Sequence, residues 1–183
     1  MRRQRLVGLL LLCLGFAPLI CAQKVNAPKL EVTMVNEPWT LVFDAKDFSV
    51  KANGPQPDGR VYLLAQNDKI MVTLSVYLER VQGTATASDC QDIQKARLDQ
   101  KVDYTRQKIE TRQSAGMEIV EYTIPEFSGA PIQQRNFFAC LPKDDVYVDI
   151  HLSKVLFKPD DEKLFTAILN SAHFISKSAA DTK

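Results

Sequence analysis

The stretch "QRNFFACLPKDDVYVDIHLSK", Gln134–Lys154, decides the fold of this chain. Its residues alternate between two faces on either side of "PKDD" at 142–145, a run of turn-forming residues, so the stretch predicts an antiparallel β-hairpin. The first face is entirely apolar, with Phe137, Ala139, Leu141, Val146, Val148, Ile150 and Leu152. The second face, called the mixed face below, carries Asn136, Phe138, Cys140, Tyr147, Asp149 and His151. Such a sheet is expected to be fully covered on its apolar face and partly covered on its mixed face.

The position of the turn also predicts which residues of the two strands lie opposite each other. With a turn at 142–145, Leu141 lies opposite Val146, and Cys140 lies opposite Tyr147. Asn136 then lies opposite His151, within reach of a hydrogen bond between the two side chains.

Further strands and two helices are predicted outside the hairpin. Alternating apolar residues predict strands between residues 39 and 80, and "MEIVEYTIP", Met117–Pro125, predicts another. Residues 89–102 have the composition of a helix, and "PDDEKLFTAILNSAHF", Pro159–Phe174, is predicted as an amphipathic helix. The predicted fold class is therefore α+β, with an antiparallel β-sheet packed between helices as an α/β/α sandwich.

The first 22 residues have the layout of a secretory signal peptide. Arginines precede an apolar run at Leu6–Phe16, and Pro18 follows shortly before a cleavage site at Gln23. We therefore expect export by general secretion to the periplasm or the extracellular space, with no membrane span after signal removal. Two minor alternatives are an uncleaved N-terminal anchor in the membrane and a lipoprotein acylated at Cys21. The Ile20 that precedes this cysteine disfavours lipidation, which needs a small residue there.

The remaining chain is predicted to form one domain. The expected organisation is a signal peptide at 1–22, an N-terminal lead at 23–38, a single α+β sandwich domain at 39–176 and a disordered tail at 177–183. Removing the signal peptide takes away three of the 23 basic residues and no acidic one, which leaves 20 basic against 22 acidic residues. Neither sign dominates, so the charge does not indicate binding to nucleic acid or to an anionic membrane.

Two cysteines, Cys90 and Cys140, remain after export. In an oxidising compartment they can form a single intramolecular bridge. The alternative is a reactive thiol, which needs a CxxC spacing or a base aimed at the sulfur, and the sequence contains no CxxC. We therefore predict a structural disulfide. Cys90 is expected to share the inward face of its helix with Ile93 and Arg97, so the bridge would join this helix to the mixed face.

The mixed face also carries a candidate polar patch of Asn136, Tyr147, Asp149 and His151. Asp149 and His151 could act as a general-base pair, but no GxSxG or comparable nucleophile turn is present. The two histidines of the chain are far apart in sequence, and no glycine-rich phosphate loop occurs. The sequence therefore predicts a polar patch without catalytic residues, and no metal or cofactor.

Two short stretches and the order of elements resemble a known family. The stretches are "SAGMEIVEYTI", Ser114–Ile124, and "FTAILNSAHF", Phe165–Phe174. With the predicted strands and helices, they make the chain similar to the PsbP-like α/β sandwich family, which includes extrinsic photosystem subunits and DcrB-type bacterial envelope proteins. The resemblance spans roughly Trp39 to Ile175. It implies an antiparallel sheet packed between helices, and no functional motif of the family maps onto particular residues here.

Three functions are compatible with these observations. The first, implied by the resemblance, is a non-catalytic exported envelope protein that binds a partner, such as another envelope protein, or assists assembly. The second is a small hydrolase that uses the face of Asp149 and His151. The third is a binder of a small apolar ligand between sheet and helix, in a dry cavity lined by Phe138 and Tyr147. The sequence does not indicate an oligomeric state.

Overall fold

The computed structural model describes residues 29–100 and 105–177, which contain ten strands and two helices. The strands are β1 (Lys29–Val32), β2 (Trp39–Asp44), β3 (Ser49–Pro55), β4 (Val61–Asn67), β5 (Val72–Arg80), β6 (Gln107–Ser114), β7 (Met117–Phe127), β8 (Ala130–Cys140), β9 (Val146–Lys154) and β10 (His173–Ser176). The helices are α1 (Ala87–Gln100) and α2 (Asp161–Ser171). The predicted signal peptide at 1–22 lies outside the described residues, as do the last six residues of the predicted tail.

The strands form two antiparallel sheets. The large sheet has seven strands in the order β3-β4-β5-β9-β8-β7-β6, so the β8–β9 hairpin lies near its centre. The small sheet has the order β1-β2-β10. Strand β1 lies within the predicted lead at 23–38 and pairs with β2 from Lys29 opposite Asp44 to Val32 opposite Leu41.

The main core lies between the apolar face of the large sheet and a layer made by the small sheet and α2. Alternate residues of β5 and β9 supply its floor, and Leu74, Ile150 and Leu152 are fully buried. Phe43 of β2 and Phe165 of α2 pack onto them from the other layer. Burying each such side chain stabilises the fold by about 1.5–3 kcal/mol, so complete cover of the apolar face is strongly favoured.

The predicted α/β/α sandwich is wrong. The described residues are mostly strand, and the layer on the apolar face is a second sheet with α2 beside it rather than helices alone. The prediction failed at both ends of the domain because short segments were not recognised as strands of a common sheet. The sequence prediction places Lys29–Val32 in the N-terminal lead and gives no strand after the last helix, whose predicted stretch ends at Phe174. Instead, Ala172 is extended, with φ −62° and ψ 121°, and directs His173–Ser176 into pairing with β2.

The register of the β8–β9 hairpin differs by two residues from the prediction. Lys143 and Val146 exchange both backbone hydrogen bonds, at 3.0 and 2.9 Å, so the loop contains only Asp144 and Asp145. Asp144 has a φ of 55°, a left-handed conformation that aspartate tolerates better than most residues. Cys140 therefore lies opposite Asp149 and not opposite Tyr147.

This shift keeps every side chain on its predicted face, because side chains alternate with a period of two. It changes the neighbours on the mixed face. Phe138 lies opposite His151, and Asn136 lies opposite Ser153 rather than opposite His151 as predicted.

Helix α1 packs on the mixed face with a different side from the one predicted. Its buried residues are Cys90, Gln91, Gln94 and Leu98, whereas Ile93 is 37% exposed. The prediction assumed that apolar Ile93 would face inward, but two glutamines are buried instead because they donate hydrogen bonds to carboxylates of the sheet. At the start of the helix, the hydroxyl oxygen of Thr86 accepts a hydrogen bond from the backbone N–H of Asp89 at 3.1 Å.

The predicted disulfide between Cys90 and Cys140 is present. The two Cα atoms are 5.8 Å apart, with Cys90 in the first turn of α1 and Cys140 at the end of β8. The bond therefore joins α1 to the mixed face. Neither α1 nor α2, the helices of the described ranges, has the length and apolar content that a membrane span requires.

Loss of the disulfide should release α1 without dissolving the main core. The bond closes a loop of about 50 residues, so the double variant Cys90→Ala/Cys140→Ala should lower the free energy of unfolding by about 2–4 kcal/mol. Chemical denaturation measures this value, and hydrogen exchange locates it. We expect faster exchange in α1 than in β5 and β9. Equal protection of α1 from hydrogen exchange in the variant and the parent chain would contradict the proposed role of the disulfide in holding α1 on the sheet.

Candidate binding cavity

A cavity of about 540 Å³ lies on the mixed face, over strands β5, β7, β8 and β9. Helix α1 contacts β7, β8 and β9 but leaves part of this face uncovered. The cavity occupies the uncovered part beside the helix and is open to solvent on one side. Its size is within the range of about 300–1,000 Å³ that is typical of small-molecule sites.

Aromatic and aliphatic side chains form the walls of the cavity. They are Tyr77, Tyr122, Ile124, Phe127, Ile132, Phe138 and Val155. A second, smaller core of Leu98, Val120, Tyr122 and Ile124 lies between α1 and β7, and Ile132 and Phe138 pack against it. The walls are therefore supported from behind by packed side chains. Phe127 is an exception at the rim, with 53% of its surface exposed next to the β7–β8 turn.

Three rings stand parallel across neighbouring strands and stack on one another. The ring centres of His151 and Phe138 are 4.0 Å apart with an angle of 5° between their planes. Phe138 and Tyr122 follow at 6.1 Å and 12°. The register sets Phe138 opposite His151 of β9, and Tyr122 of β7 is its diagonal neighbour. An aromatic ligand can pack edge-to-face against such a stack.

The floor of the cavity is polar and internally hydrogen-bonded. Asn136 is 1% exposed, and its Oδ1 accepts a hydrogen bond from Gln134 at 2.9 Å and lies 3.1 Å from Nε2 of His151. An amide oxygen only accepts, so Nε2 of His151 is the donor in this pair. Asp149 is 8% exposed, and its Oδ2 accepts a hydrogen bond from the side-chain amide of Gln94 in α1.

The structure brings together three of the four residues of the predicted polar patch. Asn136, Asp149 and His151 all line the cavity, whereas Tyr147 lies beneath α1, close to Cys90, and lines a different, much smaller space. The predicted contact between Asn136 and His151 exists, although the two residues are diagonal neighbours rather than opposite each other.

Several lining residues were not identified from the sequence. Ser75 and Tyr77 come from β5, which pairs with β9 over a long sequence separation, so that Ser75 lies opposite His151 and Tyr77 opposite Asp149. Their alternation was visible, but nothing local indicates which strand would lie beside β9. Gln94 does not line the cavity but donates a hydrogen bond to Asp149, and its burial was not predicted because a glutamine in a polar helix gives no signal of burial.

The polar groups of the cavity are hydrogen-bonded to neutral side-chain amides. Within residues 29–100 and 105–177, no group of three or more histidine, cysteine, aspartate and glutamate side chains is placed to hold a metal ion. Asp149 and His151 each have a separate amide partner, Gln94 and Asn136. Ser75 is the hydroxyl closest in register to His151. The arrangement can orient a hydrogen-bonding ligand, and its imidazole is held by a neutral amide.

Burial raises the pKa of the Tyr147 phenol above its usual range, and the negative charges of Asp89 and Glu79 raise it further. The pKa of Tyr147 is higher in the folded state than in the unfolded state. The neutral phenol therefore contributes stability that is fully present below about pH 10. This contribution is lost as the pH rises through the folded pKa.

Replacing Tyr147 with phenylalanine should therefore flatten the alkaline loss of stability. We expect the free energy of unfolding of Tyr147→Phe to decrease less between pH 9 and about 11 than that of the parent chain. Urea denaturation at a series of pH values measures this, and Tyr62→Phe should flatten the curve in the same direction, because burial also raises the pKa of Tyr62. Parallel curves for Tyr147→Phe and the parent chain would contradict the assignment.

Comparison with solved structures identifies the fold. The solution structure of cyanobacterial PsbP (CyanoP) from Synechocystis sp. PCC 6803 aligns with a TM-score of 0.53 over 87% of this chain and 100% of that chain, with 14% sequence identity. A crystal structure from Bacteroides thetaiotaomicron VPI-5482 aligns with a TM-score of 0.45 over 76% of this chain and 46% of that chain, with 8% identity. No family model and no curated protein sequence matches the chain. The predicted resemblance is thus confirmed for the fold, and the chain has a PsbP-like fold.

Proposed function

We propose that this protein is an exported, non-catalytic binding protein that holds a small, largely apolar molecule in the cavity on the mixed face. The observation that carries the proposal is the cavity itself, with aromatic walls over a hydrogen-bonded polar floor. Sites for small molecules combine these two features, because apolar walls supply most of the affinity and a few fixed polar groups supply orientation.

The walls account for affinity. Tyr122, Phe138 and His151 are stacked on one another, so a flat aromatic ligand can meet the edges of these rings in edge-to-face contacts. Aromatic pairs contribute about 0.5–1.5 kcal/mol beyond the area that they bury. The packed core behind the wall fixes the rings in place, which lowers the entropy cost of binding.

The floor accounts for specificity. Asn136 is buried and held by two neighbours, Gln134 and His151, so its position is fixed before a ligand enters. Polar groups that are fixed in this way can orient a ligand that carries a complementary donor or acceptor.

The place of action is also part of the proposal. The sequence of residues 1–22 has the layout of a signal peptide, and the Cys90–Cys140 disulfide is typical of an oxidising compartment. Both features support export to the periplasm or the extracellular space. The expected partner, another envelope protein, stays a prediction; the exposed Phe127 at the rim of the cavity is the side chain that such a partner would cover.

Binding of a neutral fluorescent probe tests this proposal. N-phenyl-1-naphthylamine should bind at one saturable site with increased fluorescence, and Ser75→Phe should weaken binding at least about tenfold, since the new ring would fill the cavity from its floor. Leu64→Phe is the matched control. Leu64 is directly opposite Ser75 on β4 and on the same face, but it is not among the residues that line the cavity.

Two results would contradict the proposal. Absence of saturable binding by the folded, oxidised protein would remove the cavity as a site for neutral apolar molecules. Equal loss of affinity in Ser75→Phe and Leu64→Phe would place the probe elsewhere on the sheet.

A hydrolase is the second candidate, because Ser75, His151 and Asp149 all line the same cavity. Acyl transfer would require His151 to accept the proton of the Ser75 hydroxyl, while its Nε2 donates to Asn136. The ester 1-naphthyl acetate separates the two functions. The binding proposal predicts no turnover beyond the buffer rate, and hydrolysis that disappears in Ser75→Ala would favour the hydrolase.

A further inference from the structure

We infer that this protein forms a dimer in which the β6 strands of two copies pair antiparallel and join the two large sheets. The inference concerns a surface away from the cavity and is independent of the proposed function. It is carried by three features of β6: its position at the edge of the sheet, a charge pattern that matches that of a second copy, and an exposed apolar side chain that the pairing would cover.

The outer edge of β6 can accept a further strand. In the part of the chain that the structure describes, β6 is the last strand of the large sheet and pairs with β7 alone. Its sequence, "QKIETRQS", contains neither proline nor glycine. The pairing with β7 has a register shift after Gln107 and is regular from Glu110 to Ser114. Alternate backbone N–H and C=O groups of such a strand point away from the sheet, where they can pair with another chain.

The opposite edge of the large sheet, β3, is less suited to pairing. This strand ends in Gly54–Pro55, and proline cannot donate a hydrogen bond to a neighbouring strand. The side-chain amide of Asn53 donates a hydrogen bond to the backbone oxygen of Glu31 in β1 at 3.1 Å, so β1 lies beside this edge. Extension of the large sheet is therefore favoured at β6.

The charges of β6 are complementary to those of a second copy. When two β6 strands run antiparallel with Thr111 opposite Thr111, Glu110 of each copy lies opposite Arg112 of the other copy. Opposite charges at directly opposed positions stabilise strand pairing, and like charges destabilise it. Centring the pair on Glu110 or on Arg112 would set like charges opposite each other. The charges therefore select the register that is centred on Thr111.

Both charged side chains of β6 belong to an ion-pair network that the second copy would extend. Arg112 pairs with the buried Glu121 at 3.2 Å, and its side chain stays partly exposed. Glu110 is 63% exposed and lies 3.8 Å from Arg135. A guanidinium has five N–H donors and a carboxylate accepts several hydrogen bonds, so each group can take a further partner across the dimer.

The pairing would also cover an apolar side chain and set the orientation of the two copies. Ile109 is 56% exposed, and in the register centred on Thr111 it lies opposite Gln113 of the second copy. Removing part of its surface from water favours association. The two-fold axis passes between the two Thr111 residues perpendicular to the sheet. Both mixed faces, each with its cavity, therefore lie on the same side of the joined sheet.

Disulfide crosslinking tests the register. In the dimer the two Cα atoms at position 111 lie about 4.5–5.5 Å apart, a separation that a disulfide spans. Thr111→Cys should therefore form a covalent dimer under mild oxidation at least about tenfold faster than Gln113→Cys. Gln113→Cys is the matched control, because Gln113 is exposed on the same face of β6, but its two copies would lie about 13 Å apart. The native cysteines are buried in their own disulfide and do not compete.

Sedimentation velocity measures the strength of the dimer. A single pair of strand edges makes a small interface, so we expect a concentration-dependent dimer with a Kd between about 1 μM and 1 mM. Thr111→Lys should raise this Kd at least about tenfold, because it sets two like charges opposite each other. Val50→Lys is the matched control, since it adds the same charge at an exposed position of β3 and should leave the Kd unchanged.

Three results would overturn the inference. The first is a parent protein that stays monomeric up to about 1 mM. The second is equal crosslinking of Thr111→Cys and Gln113→Cys, which would place any dimer contact elsewhere. The third is a Kd that Val50→Lys raises as much as Thr111→Lys does. The crosslinking rates decide the inference even if Thr111→Lys does not fold.

Discussion

The attachment of α1 to the mixed face is the constraint on which the rest of the site depends. This helix buries only one large aliphatic side chain, Leu98, beside Cys90 and the amides Gln91 and Gln94. Hydrophobic burial alone would hold such a helix weakly. The Cys90–Cys140 bond and the amide–carboxylate hydrogen bonds from Gln91 to Glu118 and from Gln94 to Asp149 supply the remaining attachment. Because the helix is fixed at its first turn, it covers only part of the face and leaves the cavity beside it.

The cavity follows from the same constraint. A sheet whose second face is entirely apolar needs complete cover. The mixed face carries the polar residues Asn136, Asp149 and His151 beside Phe138, so part of it can stay open to solvent. The rings that are not covered by α1 stack on one another, and the polar groups between them pair within the sheet. The result is an apolar space over a hydrogen-bonded polar floor, which is the combination on which the proposed function rests.

The sequence predicted the parts of the structure that local periodicity determines. Both faces of the β8–β9 hairpin, the helical pattern of α2 and the disulfide were correct, because each depends on alternation, spacing or compartment. The small sheet was missed because β1 and β10 have four residues each and are defined only by pairing with β2, far away in the chain. Part of the cavity lining was not predicted for a similar reason: Ser75 and Tyr77 line the cavity because β5 pairs with β9, far away in the chain, and no local pattern indicates this pairing. The candidate ligand cavity was expected between Phe138 and Tyr147, and only Phe138 lines it.

The most direct test of the account is to locate a bound ligand on the oxidised protein. Nuclear Overhauser effects between N-phenyl-1-naphthylamine and the isotope-labelled protein report which side chains lie within about 5 Å of the probe. Aromatic rings that pack against each other are separated by similar distances. We expect contacts from the probe to the ring protons of Phe138 and Tyr122, and to no residue of the small sheet. Contacts confined to the small sheet or to the outer strands β3 and β6 would contradict the claim that the mixed face holds the binding site.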